Sequence, residues 1–144
     1  MKHRKRLIAS VLALGWLTGC GGSATSPSNP VSASMFVGMW KNVDPNTRDM
    51  PQLQVRIDGD TIYVHGYGAC VPTFCDWGEA SVPSSAISAG TFTVNWTFPA
   101  PVGISDTLTM TLSTANGPLE TVLASNDTSG RTFPTVHDTF TKSQ

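Results

Sequence analysis

The residues best suited to chemistry lie in one stretch, 66–79, where two cysteines, several aromatic residues and two acids follow one another closely. Cys70 and Cys75 are separated by four residues. Two thiols this close can form a disulfide, or they can bind a metal ion together with His65 and Asp76. The ligand types suit a metal, but the spacing is not that of a known zinc knuckle. The choice depends on the compartment in which the chain folds.

Aromatic side chains in the same stretch could form a binding surface. Tyr67, Phe74 and Trp77 would supply a platform, and Asp76 a charge, for a sugar, a peptide or a cationic group. In the alternative interpretation, Trp77 fills one end of the folded core and Asp76 caps the turn. We predict a ligand-binding site whose candidate residues are Arg48, His65, Tyr67, Phe74, Asp76 and Trp77.

Histidine is the other candidate for acid–base chemistry, because its side chain titrates near neutrality. His65 precedes the two cysteines, and His137 stands next to Asp138 near the C-terminus. The sequence contains no G-x-S-x-G segment, no glycine-rich phosphate loop and no H-E-x-x-H segment to complete a catalytic site. We therefore predict exposed histidines, no enzymatic activity, no metal and no cofactor.

The N-terminus has the pattern of an export signal. Residues 2–6 form a basic head, and residues 7–17 form an apolar run of eleven residues. This run is too short to cross a bilayer core of about 30 Å as a helix, and it has the length of a signal-peptide hydrophobic region. We predict that the chain is exported.

The run ends in Leu17-Thr18-Gly19-Cys20, which resembles the lipobox of bacterial lipoproteins. The resemblance implies that residues 1–19 are removed, that Cys20 is lipidated, and that its acyl chains hold the protein to the membrane. Gly21 stands where an aspartate would retain an enteric lipoprotein at the inner membrane, so we expect the outer membrane, facing the periplasm. The alternative is an ordinary secretory peptide in which Cys20 occurs by chance.

Lipidation of Cys20 leaves Cys70 and Cys75 as an even pair in the cell envelope. This compartment is oxidising, which disfavours free thiols and therefore a metal site. We predict a disulfide that closes a short loop and stabilises the fold by about 2 kcal/mol.

The charge of the mature chain limits its partners. Four of the nine basic residues leave with the signal peptide whereas all ten acids remain, so the mature chain carries five more acids than bases. A nucleic-acid partner requires a basic face, so nucleic-acid binding is excluded. The partner is expected to be a small molecule or another protein.

The rest of the chain divides into a tether and one domain. Residues 20–34 comprise the lipidated cysteine followed by small, polar and proline-rich sequence, which predicts a disordered tether. Residues 35–144 suffice for one modest core, and we expect a monomer. Sixteen threonines in this span favour strands over helices.

Alternating apolar and polar residues predict about eight strands joined by short turns. Neighbouring antiparallel strands with one apolar face close most simply into an up-and-down β-barrel, and a β-sandwich is the second choice. The predicted strands are residues 35–43, 52–57, 61–65, 79–87, 91–98, 106–113, 119–125 and 135–141.

Two turn signals predict the pairing of neighbouring strands. A two-residue turn at Asp58-Gly59 would place Val55 opposite Ile62. A two-residue turn at Asn116-Gly117 would place Met110 opposite Leu123.

Two resemblances support the barrel. Gly38-Met39-Trp40 resembles the G-x-W signature of calycins, the lipocalin and fatty-acid-binding superfamily, and this implies that an arginine, Arg48 or Arg131, closes over Trp40. The chain also resembles a family of small uncharacterised bacterial domains with three motifs, W-x-N-x-D-P-x-T-R, then V-H-x-W-G-x-C-x-P-x-x-C-D-W-G, then S-G-R. These motifs match the segments that begin at Trp40, Val64 and Ser129, with Tyr67 in place of a tryptophan.

These observations predict a lipid-anchored envelope protein that acts as a non-catalytic binding or interaction module. Two alternatives stay open: a lipocalin-like carrier of a small apolar ligand, and an inhibitor of a lysozyme-type or protease-type enzyme. Bulky inward residues such as Phe92, Trp96 and Met110 favour a filled interior, and therefore a binding site at the loops.

Overall fold

The computed structural model describes residues 31–99 and 102–143. The predicted signal peptide, Cys20 and most of the predicted tether lie outside these residues. The described chain is nearly all β, with a short helix α1 (Ala33–Phe36) and a 3₁₀ turn at Ser84–Ala86. The strands are β1 (Gly38–Asn42), β2 (Gln52–Asp58), β3 (Thr61–Gly68), β4 (Cys75–Pro83), β5 (Thr91–Phe98), β6 (Ile104–Leu112), β7 (Leu119–Asp127) and β8 (Val136–Lys142).

The eight strands form one antiparallel sheet that curls into a nearly closed barrel, which confirms the predicted fold class. The order around the sheet is β4-β3-β2-β1-β8-β7-β6-β5, so the first and last strands pair with each other. Among the described residues, no backbone ladder joins β4 to β5. Within the same residues, no helix has the length and apolar character needed to cross a membrane.

The interior of the barrel is filled by side chains. Every second residue of the strands points inward, as the alternation predicts, and seventeen apolar residues are no more than 6% exposed. The largest of the fully buried side chains are Trp40, Phe36, Phe140, Met50 and Leu53. This packing leaves the two ends of the barrel as the places where ligands could enter.

One end, which we call the base, is closed by α1 and β8. The indole N–H of Trp40 donates to the carbonyl of Phe36 at 2.7 Å, and Phe36 packs edge-on against Phe92. The cation over Trp40 is Lys142, with its ammonium 5.0 Å from the ring, so the expectation that Arg48 or Arg131 fills this place is wrong. Lys142 also donates to the carbonyl of Met35 at 2.9 Å.

The chain joins this base earlier than the predicted domain boundary at residue 35. Val31 and Ala33 are partly buried and pack against the core. The helix α1 includes Met35 and Phe36, which the sequence predicts as the start of a strand. They are helical instead, and both side chains pack against the core at the base.

Two predicted registers are wrong, each by two residues. The β2–β3 turn is Gly59-Asp60, with Gly59 in the left-handed region at φ 55°, so Val55 pairs with Val64 rather than with Ile62. A six-residue connection joins β6 to β7, and Met110 pairs with Thr121 rather than with Leu123. A shift of two residues keeps every side chain on its predicted face, so the periodicity alone does not distinguish the two registers.

A β-bulge in β4 places Trp77 inside the barrel. Gly66 pairs with Gly78 and Tyr67 pairs with Asp76, which leaves Trp77 as an extra residue. The indole of Trp77 lies directly on the backbone of β3. A Cβ added at Gly68 would overlap the Trp77 Nε1 atom, so only glycine fits there.

Side chains of this bulge close the gap between β4 and β5. The Trp77 ring packs edge-on against Trp96 and Phe98 of β5, with ring centroids 6.2 and 6.1 Å apart. The indole N–H of Trp96 donates to the carbonyl of Gly78 at 3.1 Å. Aromatic packing therefore replaces the missing backbone ladder along this seam.

Replacing Gly68 by alanine is expected to destabilise the barrel by about 1–3 kcal/mol, because the new methyl group displaces Trp77. Chemical denaturation measures the loss. Gly66→Ala is the matched control: its Cβ would lie 3.3 Å from the Trp77 ring, so a smaller loss is expected. In a Trp77→Leu background the cost of Gly68→Ala should largely disappear. An equal cost in both backgrounds would contradict the claim that Gly68 must be glycine to leave space for Trp77.

Candidate functional site

The end of the barrel opposite the base, which we call the mouth, is ringed by the four connections β1–β2, β3–β4, β5–β6 and β7–β8. The β3–β4 connection contains the disulfide between Cys70 and Cys75, whose Cα atoms are 5.4 Å apart. The predicted disulfide is thus confirmed. Its two sulfur atoms bond to each other, and the described residues contain no group of three or more potential metal ligands.

A cavity of about 220 Å³ opens at the mouth, and we call it the mouth cavity. Strands β3, β4, β6 and β7 supply its walls, and the β1–β2 and β7–β8 loops supply its rim. Both polar and apolar groups line it, as is typical of small-molecule sites. Its lining residues are Arg48, Asp49, Gly68, Ala69, Cys70, Cys75, Trp77, Ile104, Asp106, Leu123, Ser125 and Phe133.

Asp106 is the most unusual residue of the mouth cavity. It occupies an inward position of β6, in line with Leu108 and Met110, and is only 6% exposed. Its Oδ1 atom is buried and has no hydrogen-bond partner among the described residues. A buried polar group without a partner costs free energy, and native proteins retain few of them. Asp106 therefore requires a partner that the fold does not provide.

The neighbours of Asp106 explain why it stays unpaired. Across the sheet it lies between Trp96 of β5 and Ser125 of β7. The Trp96 N–H already donates to the carbonyl of Gly78. The remaining space on this side of the cavity is lined by Trp77, which is held in place by the seam.

Acidic groups outnumber basic ones around the mouth cavity. Asp49 and Asp106 line it together with one base, Arg48. Partial burial of the carboxylate, and then the charge of Asp138, raise the pKa of Asp49 above its ordinary value. This direction of shift is the one expected of a carboxylate that is partly removed from water and lies near a second acid.

A second polar cluster lies on the outer face of β2, β3 and β4. The His65 Nε2 atom lies 2.6 Å from Asp76 Oδ1, and the His65 ring stacks on Tyr67. Beside it, Arg56 donates two hydrogen bonds to Glu79, at 2.7 and 2.8 Å, and covers the Tyr63 ring. The stacked and covered rings do not form an open platform for a sugar.

The structure divides the predicted binding residues between several places. Trp77 and Arg48 line the mouth cavity, together with both cysteines. Tyr67, His65 and Asp76 belong to the outer cluster. Phe74 is 51% exposed on the disulfide loop. The aromatic residues of the stretch 66–79 therefore do not gather in one surface.

Four important residues of the mouth cavity were not predicted: Asp49, Asp106, Ser125 and Phe133. A signal existed for Asp106. It precedes Leu108, Met110 and Leu112 at the same alternating spacing, so the periodicity of β6 places an acid on the apolar face.

Comparisons with known proteins give no relative for this fold or site. No protein-family model matches the chain, and neither a curated protein nor a solved structure matches it.

Asp106→Asn is expected to stabilise the folded protein by about 1 kcal/mol at pH 7, because it removes a buried unpaired charge. Thermal denaturation measures the effect as a rise of about 5 °C in Tm. Asp58→Asn, at the exposed end of β2, removes the same charge at the base and should leave Tm nearly unchanged. A fall in Tm for Asp106→Asn would mean that the carboxylate is paired in the folded protein.

The outer cluster predicts a pH-dependent contribution to stability. The hydrogen bond from the Gly78 N–H, and then that with His65, lower the pKa of Asp76 below its ordinary value of 3.8. A lowered folded-state pKa stabilises the fold above the unfolded-state value, and this gain is lost as the pH falls through the folded-state pKa. Asp76→Asn should therefore lower Tm at pH 7, and the difference from the wild type should shrink as the pH falls below 3.8 and through the lowered folded-state pKa. A difference that stays constant as the pH falls, measured by thermal denaturation, would assign the loss to packing instead.

Proposed function

We propose that this chain is a lipid-anchored envelope protein whose barrel is a non-catalytic binding module, with the mouth cavity as its binding site. The observation that carries the proposal is Asp106, a buried carboxylate without a partner at the wall of a cavity. Such a group is a cost for the free protein and becomes useful when a ligand supplies its partner.

The position of the N-terminal segment supports the proposed anchor. The chain enters the domain at the base, where Val31 packs beside Gly90 in the β4–β5 connection. A tether from Cys20 would therefore reach the barrel at the end opposite the mouth cavity. In this arrangement the cavity faces away from the membrane and is open to the periplasm.

The carrier of an apolar ligand is the less supported alternative. The barrel interior is occupied by its own side chains, of which Trp40, Phe36 and Phe140 are no more than 1% exposed. An eight-stranded barrel has room either for these side chains or for one small ligand. The mouth cavity contains two acids, which an apolar molecule would leave unpaired.

Inhibition of another protein is the second candidate, and the disulfide loop favours it. Val71 is 97% exposed and Phe74 is 51% exposed on a loop closed by the Cys70–Cys75 bond. Exposed apolar side chains on a constrained loop are suited to a protein interface, because little chain entropy is lost on binding. The acidic mature chain would suit a basic partner such as lysozyme.

Native mass spectrometry of the full chain, purified from its own envelope in a non-ionic detergent, tests the proposal. We expect a mature mass that begins at an acylated Cys20, together with a bound small molecule that Asp106→Asn abolishes. The control is Phe74→Ser, which changes the loop and should retain the small molecule. A protein partner lost on Phe74→Ser but retained on Asp106→Asn would replace the proposal by the interaction function, and an unacylated mature chain would remove the anchor.

A further inference from the structure

The charge of the mouth cavity restricts the ligand that could bind there. The carboxylate of Asp106 is buried at the wall, whereas Asp49 and Arg48 are exposed at the rim. Asp138 lies close enough to act on Asp49 electrostatically. A ligand that reaches the buried wall therefore meets the Asp106 carboxylate, whose Oδ1 atom has no hydrogen-bond partner among the described residues. A positively charged donor group satisfies this oxygen best.

The aromatic wall of the cavity also favours a positively charged ligand. Trp77 lines the cavity from β4, fixed between the backbone of β3 and the rings of Trp96 and Phe98. An indole face attracts cations through its quadrupole, and a fixed ring loses no conformational entropy on binding. Phe133 adds a second aromatic ring at the rim.

The size of the cavity limits the ligand further. At about 220 Å³ it is smaller than the sites of about 300–1,000 Å³ that hold drug-sized ligands. It can take a small molecule, and its charge and aromatic wall select the functional group that enters.

We infer that the mouth cavity binds a small organic cation with an ammonium head, which pairs with Asp106 and packs against Trp77. The inference rests on the proposed function, because it names the ligand class of the same site.

The competing arrangement is internal: Arg48 lines the same cavity and could move inward to pair with Asp106. Since Arg48 would then occupy the place of the ligand, removing its charge should strengthen the binding of a cation.

The test uses three probes of similar small size on the ligand-free full chain in a non-ionic detergent. They are ethanolamine, its uncharged carbon analogue propan-1-ol, and acetate. NMR titration follows the backbone amide of Asp106 and the indole N–H of Trp77, so that only binding in the cavity is counted. We expect ethanolamine, whose ammonium can donate to Asp106, to bind at least about tenfold more tightly than the uncharged analogue, as a paired buried charge requires.

Two variants with opposite expected effects make the test specific. Asp106→Asn should weaken ethanolamine binding at least about tenfold, whereas Arg48→Gln should strengthen it several-fold. Asp58→Asn at the base removes one negative charge far from the cavity and should leave the affinity unchanged. Circular dichroism of each variant confirms that the barrel is intact.

The outcomes that contradict the inference show whether only the ligand class is wrong or the binding site is wrong as well. Acetate binding that depends on Arg48 would overturn the cation and leave the mouth cavity as a binding site. Equal affinity for ethanolamine and its uncharged analogue would do the same. If Asp58→Asn and Asp106→Asn weakened binding of the cation equally, the effect would come from the overall charge of the protein, and the inference would be wrong. If no probe shifts the cavity signals, both the inference and the proposed binding site are wrong.

Discussion

The structure depends on the contact of the Trp77 indole with the backbone of β3 at Gly66 and Gly68. No backbone ladder joins β4 to β5 in the described chain, so the barrel would be open along this side without that contact. The bulge at Trp77 turns the ring inward, and Trp96 and Phe98 pack against it from β5. The same ring is a wall of the mouth cavity. The side chain that closes the barrel therefore also forms a wall of the mouth cavity.

The two ends of the barrel differ in how their polar groups are satisfied. At the base, the Trp40 N–H and the Lys142 ammonium both donate to backbone carbonyls, α1 covers the core, and the buried group without a partner among the described residues is the neutral Ser143 hydroxyl. At the mouth, the corresponding group is the Asp106 carboxylate at the wall of the cavity. A buried carboxylate without a partner costs more free energy than a buried hydroxyl. We therefore propose the mouth as the end at which the protein meets a ligand.

Much of the fold could be predicted from the sequence, because alternation reports which residues face inward. It identified the eight strands, and β5 at Thr91–Phe98 with its correct ends. Strand register could not be predicted in this way, since a shift of two residues leaves both faces unchanged. The bulge at Trp77 was also invisible, because it depends on a contact with Gly68 in the neighbouring strand. For this reason the sequence left open whether Trp77 joins Tyr67 in one surface or fills one end of the core, and the structure places Trp77 inside the barrel, on the face opposite Tyr67. The inward position of Asp106 could have been predicted from the sequence, because its spacing from Leu108 and Met110 places an acid on the apolar face of β6.

A crystal structure of the protein purified from its own envelope, without added ligand, tests the central claim most directly. We predict electron density for a non-protein molecule in the mouth cavity, with a donor atom about 3 Å from the Asp106 carboxylate. An Arg48 guanidinium in that position, paired with Asp106 and filling the cavity, would contradict it.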